Sequence, residues 1–230
     1  RQWLVSQFGE EQAYGSGLQV YTTLSGKDQI AAQRALMSGL ERYERRHAYR
    51  GPIAHLDEAA LQDLLAGKLP QGAPTYTPAD LHWAAVVAIT KQNAQLRLDN
   101  GQTVRLPFGA LSWARRAIPG KGLSALPKKP GDVLRTGDLV WLRQSPQGWL
   151  LTQIPEVQGG LVSLEANSGR VLALAGGYSF DLNQYNHVTQ AKRQAGSAFK
   201  PFIYAAAMDG DALAEAGVPA GFTPASVLDD

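Results

Sequence analysis

In the stretch "RQAGSAFKPF", residues 193–202, Ser197 and Lys200 stand three positions apart, with Gly196 just ahead of the serine and Pro201 just behind the lysine. Residues at i and i+3 share a helix face, so the amine of Lys200 can reach the Ser197 hydroxyl. A lysine kept neutral by burial could then take the serine's proton and turn it into a nucleophile. A serine in the first turn of a helix also sits at the positive end of the dipole, where free N–H groups can hold an oxyanion. The spacing is weak by itself: 12 serines and 8 lysines in 230 residues give about 0.4 such pairs by chance. The competing reading of the same residues is a serine that merely caps a helix, with Pro201 where its missing N–H costs little.

Other candidate chemistry is sparse. His47, His55, His82 and His187 are scattered without a matching acidic cluster, so no metal site is expected. The chain has no cysteine, which excludes disulfides, thiol catalysis and Cys-ligated zinc. A net charge of +2 is too mild to require a polyanionic partner. Arg42, Arg45, Arg46 and Arg50 form a basic run that could meet an anionic glycan-linked partner or lipid headgroups, but reads first as a solvated helix end. Trp83, Trp113, Trp141 and Trp149, near Lys121, Lys128 and Lys129, permit a single-strand nucleic-acid reading. The plainer account makes most of these tryptophans core residues, with one at a protein-docking surface.

The elements that must position these residues follow from periodicity and turn signals. Residues 17–24, "GLQVYTTL", alternate and are β-branched, predicting a strand. A helix is predicted over 28–46 and stopped by Gly51-Pro52; a second, "HLDEAALQDLLAGK", has Asp57 and Glu58 in its first turn and Gly67 as its C-cap. Residues 69–80 are rich in Pro, Gly and Thr and read as a linker. Between 81 and 155, "HWAAVVAIT", "AQLRLDNG", "QTVRLPF", "GDLVWLR" and "GWLLTQIP" read as five short strands, with Asn100-Gly101 as a hairpin turn. That pattern suits a small barrel or sandwich, an OB-like barrel among them. "GGLVSLEANSGRVLALAGGYSF" is a further hairpin, in which Gly176-Gly177 marks a tight turn or bulge, and "SAFKPFIYAAAM" has the Ala-rich, apolar texture of a buried helix. No apolar run approaches the ~18 residues of a membrane span. With Arg1 at one end and "TPASVLDD" at the other, the chain is expected to be cut from a longer polypeptide.

Taken together, residues 159–208 carry a resemblance. The strand with "SGRVLAL", the turn "GGYSF", the lead-in "YNHVTQAKRQ" and "GSAFKPF" resemble the start of the transpeptidase domain of class A bifunctional penicillin-binding proteins. Residues 14–52, ending in "RHAYRGP", resemble the segment joining the glycosyltransferase and transpeptidase domains, in the 1A type of Gram-negative bacteria, which also carries an OB-like insert. The resemblance implies a mixed α+β fold: the N-terminal part of a β-lactamase-like transpeptidase domain interrupted by an all-β insert. The organisation expected is 1–75 linker and start of the transpeptidase domain, 76–155 insert, and 156–230 strand pair and nucleophile helix.

By the same resemblance Ser197 is the nucleophile and Lys200 the general base of a D-Ala-D-Ala transpeptidase that β-lactams acylate. Peptidoglycan stem peptides would be the substrates, with no cofactor. A location on the periplasmic side of the inner membrane and an outer-membrane lipoprotein activator docking on the insert are implied too; nucleic acid is not expected. The family's other two motifs, Ser-x-Asn and Lys-Thr/Ser-Gly, do not occur in this sequence. Lys129-Pro130-Gly131 imitates the latter but precedes the serine. The chain alone is therefore expected to be inactive, its serine in an incomplete cleft.

Overall fold

A computed structural model describes residues 2–78, 81–217 and 222–227 of the chain. Packing divides it into two units, Arg1–Gln190 and Ala191–Asp230. The larger begins with helix α1, Gln2–Gly15, broken at Gly9, whose Trp3 and Phe8 lie exposed in edge contact. The strand expected over 17–24 is absent: this segment is exposed, and among the described residues its hydrogen bonds to the rest of the unit come at its end. There the Thr23 hydroxyl donates to the Val171 carbonyl, and the Ser25 N–H to that of Leu172. An alternating pattern makes a strand only when an edge is offered along its length.

Helix α2, Gly26–His47, contains the predicted 28–46 helix and is capped by Ser25; it ends at His47, ahead of Gly51-Pro52. Strand β1, Ala54–His55, and helix α3, Glu58–Leu65, follow. Asp57 caps α3 by accepting the Ala60 N–H at 2.8 Å, and Gly67, just past its end, has φ +90°. Residues 69–78 form no helix or strand; Ala79 and Asp80 lie outside the described residues.

All five strands expected between 81 and 155 form: β2, Leu81–Ile89; β3, Asn93–Leu98; β4, Thr103–Pro107; then, after the two-residue strands β5, Ala117–Ile118, and β6, Gly122–Leu123, β7, Asp138–Ser145, and β8, Gly148–Thr152. The antiparallel order is β1-β7-β2-β3-β4, with β8 also on β7. β1 thus joins this sheet from outside residues 76–155. β4 and β8 come alongside each other without pairing, which curls the sheet toward a barrel.

The period of two along β2 and β7 sorts their side chains between two cores. Ala84, Val86, Val140 and Leu142 point into the barrel with Leu96, Leu98, Leu106 and Leu151. Trp83, Ala85, Leu139 and Trp141 point the other way, onto Met37 of α2, Leu61 and Leu64 of α3, and Tyr178. Trp83 pairs directly with Trp141 across the strands. Trp113 and Trp149 pack half-buried against the barrel core. The core reading holds for Trp83 and Trp141, while Trp113 and Trp149 are half-buried at the core's edge, and none of the four is fully exposed.

Beyond the barrel, β9, Leu161–Leu164, and β10, Val171–Ala175, form the expected antiparallel hairpin around "EANSGR". α2 lies against it. The Gln29 side chain donates to the Leu174 carbonyl and accepts its N–H, so the amide acts as a further rung on β10. Among the described residues no helix is long and apolar enough to cross a membrane.

Candidate active site

Ser197 lies in a 3-10 turn, Gly196–Phe199, that runs directly into helix α4, Lys200–Met208; a short helix α5, Gly210–Glu215, follows. The Lys200 N–H donates to the Ser197 carbonyl, and Pro201 sits in the first turn of α4, as its sequence position implied. Gly196 has φ +55°, a left-handed conformation that favours glycine, and open space where a side chain would stand. Ser197 is not a helix cap: Ala195 and Phe199 hold the cap positions of the turn and of α4, with no side-chain cap bond.

Ser197 and Lys200 are both exposed, and among the described residues their hydroxyl and ammonium have no hydrogen-bond partner. The burial expected of the lysine, and of the helix behind it, is not found. Phe199, Phe202, Ile203 and Tyr204 are all exposed. The physical reason lies in the smaller unit itself, whose described residues form two short helices, a 3-10 turn and loops, with no sheet to cover an apolar face. An apolar hollow of about 520 Å³, between Ile203, Tyr204, Met208 and Phe222, lies further along α4 and does not include Ser197 or Lys200.

The lead-in "YNHVTQAKRQ" is organised up to Gln190 by Asn186 and by the end of β10. The Asn186 carbonyl oxygen Oδ1 accepts the N–H of Val188 at 3.0 Å, and the Gln190 side chain accepts the Asn186 N–H at 2.7 Å. The Gly176 carbonyl accepts the N–H of His187 and faces its Nδ1, each at 2.8 Å. Gly176 has no positive φ and serves neither turn nor bulge; a Cβ there would stand 2.5 Å from Asn186 Oδ1 and 3.1 Å from its Cα. Its lack of a side chain is what lets the lead-in lie against the hairpin.

Two buried carboxylates hold α2 in place, and the sequence reading missed both. Glu41 accepts from Arg143 Nε at 3.1 and 3.0 Å, from Arg143 Nη2, and from the Tyr178 hydroxyl at 2.6 Å. Burial and the Glu41 carboxylate push the Tyr178 hydroxyl well above the usual tyrosine range, against the opposing pull of Arg143. Glu44 binds Arg50, the Gln153 amide at 2.9 Å and the Glu156 N–H at 3.1 Å. Their i, i+3 spacing beside buried Met37 was visible, but two glutamates three apart read equally well as a solvated face.

The basic run is likewise only partly solvated: Arg50 pairs with Glu44 and Glu156, and Arg45 lies 5.7 Å over the Trp113 ring. Arg45 is half-buried there while Arg50 stays exposed, and Trp113 and Glu156 come from segments far along the chain, a proximity that the local sequence does not encode. The histidines stay apart: His55 meets Asp138 and His82 meets Asp99, each at 2.9 Å. No group of three or more metal-ligating side chains occurs among the described residues.

Comparison with known families matches two segments of the chain. Residues 49–157 match the penicillin-binding protein OB-like domain, and residues 159–217, which include Ser197 and Lys200, match the penicillin binding protein transpeptidase domain. The chain belongs to the penicillin-binding proteins. Among their particular members it is similar to penicillin-binding protein 1A of Escherichia coli (strain K12), 39% identical over all of this chain and 26% of that protein. Penicillin-binding protein 1A of Vibrio cholerae is 36% identical over 91% of the chain and 26% of its own length. A crystal structure of penicillin-binding protein 1A from Haemophilus influenzae superposes with a TM-score of 0.68 at 36% identity, covering 91% of this chain and 29% of the other. The chain thus spans about a quarter of the length of these relatives.

Proposed function

We propose that this chain is the part of a peptidoglycan D,D-transpeptidase that supplies its nucleophile. The observation that carries the reading is the transpeptidase match over residues 159–217, with Ser197 and Lys200 three apart at the start of α4. The Ser197 oxygen attacks the carbonyl of the penultimate D-Ala of a stem peptide while Lys200, as general base, takes the hydroxyl proton. The Ser197 N–H supplies one donor to the oxyanion of the tetrahedral intermediate. Collapse breaks the C–N bond, the terminal D-Ala leaves with a proton, and the acyl group passes from Ser197 to an amine of a neighbouring stem. The chain spans about a quarter of its relatives' length, and exposure of the pair supports a division of labour in which further parts of such a protein close the cleft around Ser197 and Lys200.

The domain organisation proposed is 1–75, linker and start of the transpeptidase domain; 76–155, the insert; and 156–230, the strand pair and nucleophile helix. The parent protein works on the periplasmic side of the inner membrane, and its OB-like domain, with a core of its own, docks an outer-membrane lipoprotein activator. Capture of such a lipoprotein by this chain tests the docking role, and absence of binding refutes it.

Intact mass after incubation with a labelled penicillin tests the catalytic role, on this chain and on one continuing past residue 230 with the rest of the transpeptidase domain. The longer chain gains one acyl group at Ser197, the Ser197→Ala variant none, and the present chain little or none. Labelling that survives Ser197→Ala, or no labelling of the longer chain, overturns the assignment.

A further inference from the structure

The cleft between α2 and the β7–β8 hairpin has basic walls. Two adjoining hollows, of about 330 and 600 Å³, share Arg34 and Arg143; Arg42 and Arg45 line the first and His82 the second. Arg143 is neutralised by Glu41. Arg34, Arg42 and Arg45 make no ion pair among the described residues, and Nε of Arg45 is buried without a hydrogen-bond partner. A buried, unpartnered guanidinium N–H is costly, and a planar fork of such donors matches a carboxylate. Three unpaired arginines in one cleft therefore concentrate both field and donors for an anion.

The length of the row decides the kind of anion. Arg34 and Arg45 are eleven positions apart on α2, about 16 Å at the helical rise per residue. That is too long for one phosphate group, but an extended chain covers it in about five residues and turns alternate side chains the same way. Met37 and Leu150 add apolar surface to the first hollow. A lipid surface does not enter a cleft, and a nucleic-acid strand wants exposed aromatic platforms, whereas Trp83 and Trp141 are core residues. We propose that the cleft between α2 and the β7–β8 hairpin binds an acidic, extended polypeptide segment of a partner, its carboxylates held by Arg34, Arg42 and Arg45.

This inference does not depend on the role of Ser197. Fluorescein-labelled hexaglutamate is titrated with the whole chain and followed by anisotropy. Binding is saturable and weakens with salt, and the double variant Arg34→Ala/Arg42→Ala weakens it about tenfold. Both side chains are exposed and without a hydrogen bond or ion pair among the described residues, so the variant keeps its fold, checked by circular dichroism. Arg46→Ala, which removes one positive charge from the same helix where it lies over Tyr43, leaves binding unchanged. Absence of saturable binding, or equal loss in Arg46→Ala and the double variant, overturns the proposal. Tighter binding of a thymidine oligonucleotide or of phosphatidylserine vesicles, lost in the double variant, does so too and reassigns the cleft.

Discussion

Replacing Glu41 by alanine removes the acceptor of both Arg143 and the Tyr178 hydroxyl at once. Breaking a buried ion pair from one side costs roughly 3–5 kcal/mol, most of it the penalty of the charge left behind. Here the orphan is Arg143, whose side chain keeps 19% of its exposure against 6% for Glu41; residual solvation places the loss near the lower end, about 3 kcal/mol. The double variant Glu41→Leu/Arg143→Met removes both charges and leaves only the Tyr178 hydroxyl short of a partner, a deficit of about 1 kcal/mol. It is therefore more stable than the single variant by about 2 kcal/mol. Urea unfolding followed by tryptophan fluorescence reads this directly, because Trp83 and Trp141 share the core cluster of Tyr178. A single variant within 1 kcal/mol of the parent, or a double variant no more stable than the single, would refute the claim that this pair anchors α2.

The hydroxyls of Tyr49 and Tyr178 are both pushed up by burial, so each stays protonated in the folded chain where the unfolded chain ionises. Their contribution is intact below about pH 10 and is lost as pH rises above it, by at most about 1.4 kcal/mol per unit per tyrosine. Urea midpoints across this range fall less steeply in Tyr49→Phe, and parallel slopes would contradict the assignment. Gly176→Ala drives a Cβ into Asn186 and costs about 1–3 kcal/mol; in thermal unfolding it melts below a Gly210→Ala control, a glycine with open space around it. Asp57→Ala removes the cap of α3 and lowers stability by about 1 kcal/mol, measured by urea unfolding, with Asp57→Asn recovering most of it.

Local signals carried far along this chain. The five strands of the OB-like sheet, the hairpin around "EANSGR" and the helices α2 and α3 were legible because each has a periodicity and a punctuation of its own: alternation bounded by Asn100-Gly101, or an apolar stripe begun by Asp57. Residues 17–24 show the limit of that reasoning, since their alternation is genuine and a strand needs an edge they do not find. The helix after Ser197 shows another. Its apolar composition predicts burial, but composition records what a helix requires of its surroundings and cannot supply them.

What the sequence by itself determined is the chemistry available: a serine and a lysine three positions apart, no thiol, and enough alternating segments for a barrel. These depend on residue types and near neighbours. Only the tertiary structure decided which charges are buried together, because Glu41 and Arg143 are 102 positions apart, and Glu44 and Gln153 are 109. It also decided that Gly176 is a contact with Asn186 and not a turn, and that three arginines of α2 line a cleft with no ion-pair partner among the described residues. Such pairings arise when separate elements meet, and a one-dimensional pattern holds no distance between residues that far apart.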